Sequence, residues 1–199
     1  MGQINAALPV KLIVGILTSV PETLPEAERL LTEAFGPIDA RSEVFPFDWT
    51  HYYDAKMGSP IYRCFLSFTQ LIEPSAIAET KIKTNEMESL FLARYPAIPR
   101  PINLDPGYLE QSKIVLASTK NFFHRILISK GIFAEVTLHF QDGQWCAFPW
   151  TFPDYKSEQY HPFFSSLRDH YRQQLSNAGF RIRIPKKSKT SPKQRAETS

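Results

Sequence analysis

The chain has 199 residues, a formal net charge of +3, 43% hydrophobic and 22% charged residues, a composition that excludes a fibrous or wholly disordered chain and fits one globular domain. The longest apolar run near its start, Leu12 to Leu17, falls far short of the roughly 20 residues that span a bilayer; no small-residue cleavage site follows, so neither a membrane span nor a signal peptide is expected. Cys64 and Cys146 lie apart without CxxC or Cys/His spacing, which speaks against a thiolate metal site and for reduced thiols in a cytoplasmic protein.

In chain order, Val10 to Leu17 is a branched, continuous apolar run, the pattern of a buried strand. A helix to Phe35 follows, with Thr23 and Glu26 spaced as a capping box, Pro25 in the first turn and Gly36-Pro37 as its stop. Ser42 to Asp48 and Ile61 to Ile72 read as strands, Ser75 to Ala93 as a helix and Ile102 to Leu104 as a short strand. This β-α-β-β-α-β order is that of the split unit of ferredoxin-like folds. Lys113 to Ala117, Phe122 to Ser129, Ile132 to Phe140 and Trp145 to Pro149 form an antiparallel meander, with tight turns at Lys130-Gly131 and Asp142-Gly143, and a helix over Tyr160 to Ser176 closes the fold. The expected class is α+β, one domain over 1–180. The segment 181–199 carries seven cationic residues against Glu197, which leaves the body net acidic, and it is too polar to fold alone. Such a basic tail offers contacts to RNA, ribosomes or an anionic membrane surface.

Charge falls in unexpected places. On the helix from Ser75, Lys81, Asn85 and Glu88, with Thr84 beside them, lie inside the arc of Ala78, Ile82, Phe91 and Leu92, while Glu79, Lys83 and Glu86 point the other way. Burying unpaired ions costs several kcal/mol, so these side chains either pair with one another or line a wet pocket. Across the Lys130-Gly131 turn a two-residue loop sets His124 opposite Thr137 and Ile126 opposite Glu135. His124, Glu135, Thr137 and His139 then share a face with Phe148 and Trp150, and Phe123, Leu127, Ala134, Val136, Leu138, Phe140 and Ala147 form the core face. Asn103 to Leu109 places Asp105-Pro106-Gly107 in the order of a tight turn and adds Asn103, Asp105 and Tyr108 to the candidates. The loop Phe47 to Gly58 presents Trp49, Tyr52 and Tyr53 to a ligand or a partner protein. Ser118-Thr119-Lys120 is no P-loop, and GxGxxG, GxSxG and metal-site spacings are absent.

The motifs PVKLIVGIL, FGPIDARSEVFPFD, YYDAKMG, KIKTNEMES, INLDPGYL, KIVLASTKNFFHRI, GIFAEVTL and PWTFPDY, in that order from Pro9 to Tyr171, resemble those of an uncharacterised bacterial family, domain of unknown function 4416. The resemblance implies no established activity; members are sometimes labelled GTP-binding, for which this sequence lacks the loops. It aligns Lys81, Thr84, Asn85 and Glu88 with a KxxTNxxE pattern, and Asn103, Asp105, Tyr108, Ser118, Thr119, Lys120, His124, Arg125, Glu135 and Thr137 with later motifs. The chain departs at Lys56, where the resemblance implies Glu before Met-Gly.

The expected function is a pocket for an anionic or phosphorylated small molecule. Lys81, Lys120, His124 and Arg125 supply positive charge, Thr84, Asn85, Asn103, Asp105, Tyr108, Ser118, Thr119 and Thr137 supply polar contacts, and Trp150 stacks on a ring. His124, Glu135 and Glu88 are the acid–base candidates; no metal ligand set is read and the cofactor is open. The alternatives are an RNA- or ribonucleoprotein-binding module using the basic tail, and a protein-docking domain using Trp49 to Tyr53.

Overall fold

The computed structural model describes residues 2–3, 6–50 and 53–181; the expected tail from 182 onward, and His51 and Tyr52, lie outside the described residues. Nine strands form one antiparallel sheet: β1 (Val10–Thr18), β2 (Ile38–Arg41), β3 (Phe45–Pro46), β4 (Tyr62–Ile72), β5 (Ile102–Leu109), β6 (Lys113–Ser118), β7 (Ile126–Ser129), β8 (Ile132–Gln141) and β9 (Gln144–Ala147). The order β2-β4-β1-β5-β6-β8-β7, with β3 on β4 and β9 on β8, makes the first four strands the expected split β-α-β unit, which the meander continues in the same sheet. The fold is α+β.

Helices cover both faces because strand side chains alternate. Leu12, Val14 and Ile16 of β1 meet Ala27 and Leu31 of α1 (Leu24–Phe35) and Ile77, Ala78 and Phe91 of α3 (Ile77–Arg94). On the other face Ile13, Phe65, Leu116 and Leu138 meet Tyr155 of the short α4 (Pro153–Lys156) and Phe164, Leu167, Tyr171 and Leu175 of α5 (His161–Asn177). Phe65 is the hub of this second core, with the rings of Tyr155, Tyr160, Phe163 and Phe164 between 4.9 and 6.1 Å away. One ion is built in: Lys11, fully buried, pairs with Asp39 and donates to Phe68 O (2.7 Å) and Gln174 Oε1 (2.9 Å), although burial pulls its pKa down against the pull of Asp39. The remaining helix, α2 (Asp54–Met57), covers a small third cluster with Leu17, Phe47, Met57 and Ile61. No helix among the described residues is long and apolar enough to cross a membrane.

Several local expectations need correction. The capping box does not form: Thr23 Oγ1 bonds back to Val20 O (2.7 Å) and shares a hydrogen bond with Thr18 Oγ1, leaving no side-chain cap on α1. Of the strand expected over Ser42 to Asp48 only the short β3 forms, and β2 lies ahead of it in residues where no strand was expected. The β7–β8 hairpin turns at Lys130-Gly131 and pairs Ser129 with Ile132 as expected, but an irregularity after Leu127 sets Ile126 opposite Ala134. A second irregularity, in the pairing of β8 with β6, skips Thr137, and a bulge exchanges faces beyond it. The proposed core face therefore breaks up: Leu138 enters the second core, whereas Phe123 and Leu127 are exposed.

The Asp105-Pro106-Gly107 expectation was also wrong, for an instructive reason. These residues lie in the middle of β5, which pairs with β1 from Ile102 to Leu109 but with β6 only at Gly107, Tyr108 and Leu109. The main-chain groups of Leu104 point away from β1; Pro106, two residues on, faces the same way and has no N–H to offer β6. The proline ends a ladder instead of reversing the chain. From there β5 and β6 diverge, and the sheet opens into a crevice.

Gly107 guards the last closed rung, where a Cβ would lie 2.3 Å from Val115 O and 2.7 Å from Leu116 Cδ2. Overpacking against backbone costs about 1–3 kcal/mol, so Gly107→Ala lowers the melting temperature by roughly 2–10 °C in a thermal unfolding scan; an unchanged transition would show that the strands yield freely.

Candidate functional site

Opening a sheet strands main-chain groups, and here helix α3 supplies their partners. Lys81 Nζ donates to Leu104 O (2.8 Å) and Leu104 N donates to Glu88 Oε1 (2.9 Å), so two side chains two turns apart on one face of the helix stand where β6 would have been. Both were singled out by their position inside the apolar arc. Lys81 and Thr84 are buried, Thr84 donating to Lys81 O (3.0 Å); Asn85 is half-buried and its carbonyl accepts from Ser89.

The crevice widens into a cavity of about 450 Å³. Around it stand five cationic side chains, Arg63, Lys81, Arg100, Lys120 and Arg125, and three carboxylates, Asp105, Glu135 and Asp154, with Phe47, Tyr53, Phe152 and Tyr155 as aromatic wall and Asn103, Ser118 and Thr119 as neutral polar groups. Thus Lys81, Asn103, Asp105, Ser118, Thr119, Lys120, Arg125 and Glu135, drawn from four separate stretches of sequence, meet at one hollow. His124, Glu88, Thr84, Asn85, Tyr108, Thr137 and Trp150 do not line it. Tyr108 packs against the first core, where burial raises its pKa.

At the β6 end, Arg125 is held on three sides. Its Nε donates to Glu135 Oε2 (2.7 Å), and its Nη1 donates to Ser118 Oγ (2.9 Å) and Lys120 O (3.0 Å). The Glu135 carboxylate, 1% exposed, also accepts from His124 Nε2 (2.9 Å) and from Thr137 Oγ1 (3.4 Å). His124 sits behind Glu135 with its ring stacked on Trp150 at 5.4 Å and 10°; Trp150 in turn stacks on Phe148 at 4.8 Å and donates from Nε1 to Val136 O. This column joins the turn Phe122–Arg125 to β8.

At the β5 end, Arg100 donates to Glu88 Oε2 (2.8 Å) and reaches Asn103 Oδ1, and Asn103 Nδ2 donates to Asp105 Oδ2 (2.6 Å). Asp105 Oδ1 lies 3.6 Å from Lys81 Nζ. On the floor, Arg63 Nη2 donates to Asp154 Oδ2 at 3.0 Å and Nη1 lies 3.9 Å from Asp105 Oδ2, while Arg63 Nε and Nη1 and the Tyr155 hydroxyl are buried and find no hydrogen-bond partner among the described residues. Burial works against the Arg63 charge, but Asp154, then Tyr155 and Asp105, hold its pKa above the ordinary value. Burial pushes the Asp154 carboxyl upward, opposed by Arg63, and lifts the Tyr53 hydroxyl to about 12, with the nearby Asp105 charge adding to it. Gly15 makes room for this floor: a Cβ there would stand 3.0 Å from Arg63 Nη1 and 3.3 Å from the Tyr155 hydroxyl.

Sequence reading missed Arg63, Arg100, Asp154, Phe47, Phe152 and Tyr155 as site residues, and named Tyr53 only within an aromatic loop open to a ligand or a partner. Arg63 interrupts the apolar run of Ile61 and Phe65 much as Lys81 interrupts its helix, so the same test would have found it. Arg100 lies in an irregular segment and Asp154 in the four-residue α4, too short for a periodicity to be broken. Of the aromatic loop, Tyr53 turns into the cavity and Trp49 is exposed. Lys56, the departure from the resemblance, is an exposed residue of α2 whose carbonyl accepts Arg100 N (2.8 Å). No three His, Cys, Asp or Glu side chains among the described residues are grouped to hold a metal ion.

A family model described as domain of unknown function DUF4416 matches residues 8–171, most of the chain, and the chain belongs to that family. No curated protein and no solved structure matches it.

Burial raises the Glu88 pKa above 4.5, against the charges of Lys81 and Arg100. A carboxyl whose folded pKa is raised stabilises the fold fully below its unfolded pKa, and that stabilisation is lost as pH rises through the folded value. Glu88→Gln, which does not titrate, removes this contribution: the melting temperature of the wild type relative to the variant falls as pH climbs from about 4.5. Parallel pH profiles for the two would refute the assignment.

Proposed function

We propose that this member of the family binds an anionic small molecule, phosphorylated or carboxylated, in the crevice between β5 and β6. The observation that carries the reading is the surplus of positive charge on a concave, partly apolar surface, with Arg125 already fixed by Glu135, Ser118 and the Lys120 carbonyl. A guanidinium held in place before the ligand arrives loses little entropy on binding, so its charge-assisted bonds contribute more of their strength. Phe47, Tyr53 and Phe152 offer flat apolar surface to the uncharged part of the ligand.

In this reading the roles divide. Arg125, Lys120 and Lys81 meet the anion. Glu135, out of solvent and shared by Arg125 and His124, is a positioning carboxylate, and Glu88 plays the same part for Lys81 and Arg100. Asp105, with its side chain 28% exposed, is the carboxylate best placed to reach a ligand hydroxyl or ammonium, and any proton transfer falls to it in preference to His124. Cys64 and Cys146 are both free thiols, which suits a reducing, cytoplasmic setting.

The test is a thermal-shift and calorimetric screen of the full chain against pyrophosphate, sugar phosphates, nucleoside monophosphates and dicarboxylates, each beside its uncharged counterpart. A ligand at 100 times its Kd stabilises by about 2.7 kcal/mol. Charged probes raise the melting temperature and uncharged ones do not. Arg125→Gln weakens binding roughly tenfold to a hundredfold, as expected for losing charge-assisted bonds of about 1.5–3 kcal/mol. Glu135→Gln gives a smaller loss with Arg125 still present. Failure of every anion to bind, or binding indifferent to Arg125, would defeat the proposal.

A further inference from the structure

The two edges of the sheet are finished differently. On one, β2 carries Asp39 and Arg41, tied to Lys11 and to Glu28 respectively; charges on an edge strand discourage pairing with another chain. On the other, β7 reads Ile-Leu-Ile-Ser, and no strand among the described residues pairs with its outer side. Phe122, Phe123, Ile126, Leu127 and Ile128, on this strand and the turn before it, are between 40% and 81% exposed. Ordinary surfaces scatter such residues singly; five together mark an interface. The irregularity near Ile128 leaves Ile126 and Leu127 in the ladder, so the edge remains able to accept a partner strand.

We propose that β7 is the contact by which two copies of this chain form a symmetric dimer, the β7 strands running antiparallel across a two-fold axis. Two observations favour a second copy as the occupant. An antiparallel pair of identical edge strands satisfies both edges with one patch and needs no complementary surface elsewhere. The five side chains are 40% to 81% exposed; with about 150–250 Å² for a whole aromatic side chain, they offer on the order of 500 Å² on each protomer, so a symmetric pair that covers them buries on the order of 1,000 Å², the threshold of specific interfaces. The segment 126–129 carries no charge, and Arg125 and Lys130, which flank it and face each other across such a pair, are already neutralised by Glu135 and Glu79.

The experiment is sedimentation velocity or light scattering on the full chain over a concentration series. The wild type shows twice the monomer mass at about 100 µM, an affinity that the area alone does not set. Leu127→Lys and, independently, Phe123→Ser return it to monomer with an unchanged melting temperature, because both side chains are exposed in the protomer. A monomer at about 100 µM, or a dimer indifferent to both substitutions, would overturn the inference. A monomer that instead floats with anionic or neutral lipid vesicles, or that pairs stoichiometrically with a different purified protein through these residues, would also overturn it.

Discussion

Two side chains do the work of a strand. Once Pro106 has withdrawn a donor from the β5–β6 ladder, the buried amide and carbonyl of Leu104, left without a strand partner on that side, are satisfied by Glu88 and Lys81 from the neighbouring helix. An unpaired buried main-chain group costs about 1–3 kcal/mol, so without this substitution the crevice would close or fray. The same two residues bring charge to its rim, and with it Arg100, Asn103 and Asp105 in an unbroken series of contacts. The opening and its polarity therefore have one cause.

The electrostatics of the hollow follow from how its carboxylates are engaged. Asp154 is bound to Arg63 and Glu135 to Arg125, both out of solvent, whereas Lys81 and Arg100 share Glu88. Ions buried in this manner contribute little net stability, since desolvation consumes most of the attraction. What the pairing achieves is order: each guanidinium has a fixed direction. That order is what the proposed binding of an anion rests on.

How much of this could be read from residues alone depends on whether a regular element was present to carry a pattern. The strand and helix order, and with it the split β-α-β unit, followed from apolar periodicity. Lys81 and Glu88 were visible because they broke a helical arc. The hairpin at Lys130-Gly131 was visible as a turn, but its faces were not, since one skipped residue at Thr137 and another near Ile128 reverse the alternation on which the assignment relied. Asp105-Pro106-Gly107 carried a genuine signal with two physical meanings, chain reversal and ladder termination, and only the neighbouring strands decide between them. Arg100, in an irregular segment, and Asp154, in the single turn of α4, had no local pattern to violate.

In the plane of the sheet, three residue pairs between β5 and β6 are all that joins the first four strands to the meander. Helix α5 crosses behind them, with Tyr171 bonded to Pro9 on one side and Arg168 to Gln111 and over the Phe140 ring on the other. Mechanically the molecule is two plates joined by a short seam and a strap, and the cavity lies where the seam has been left unsewn. Any molecule that touches both Lys81 and Arg125 acts as a stitch, drawing the plates together by its own length.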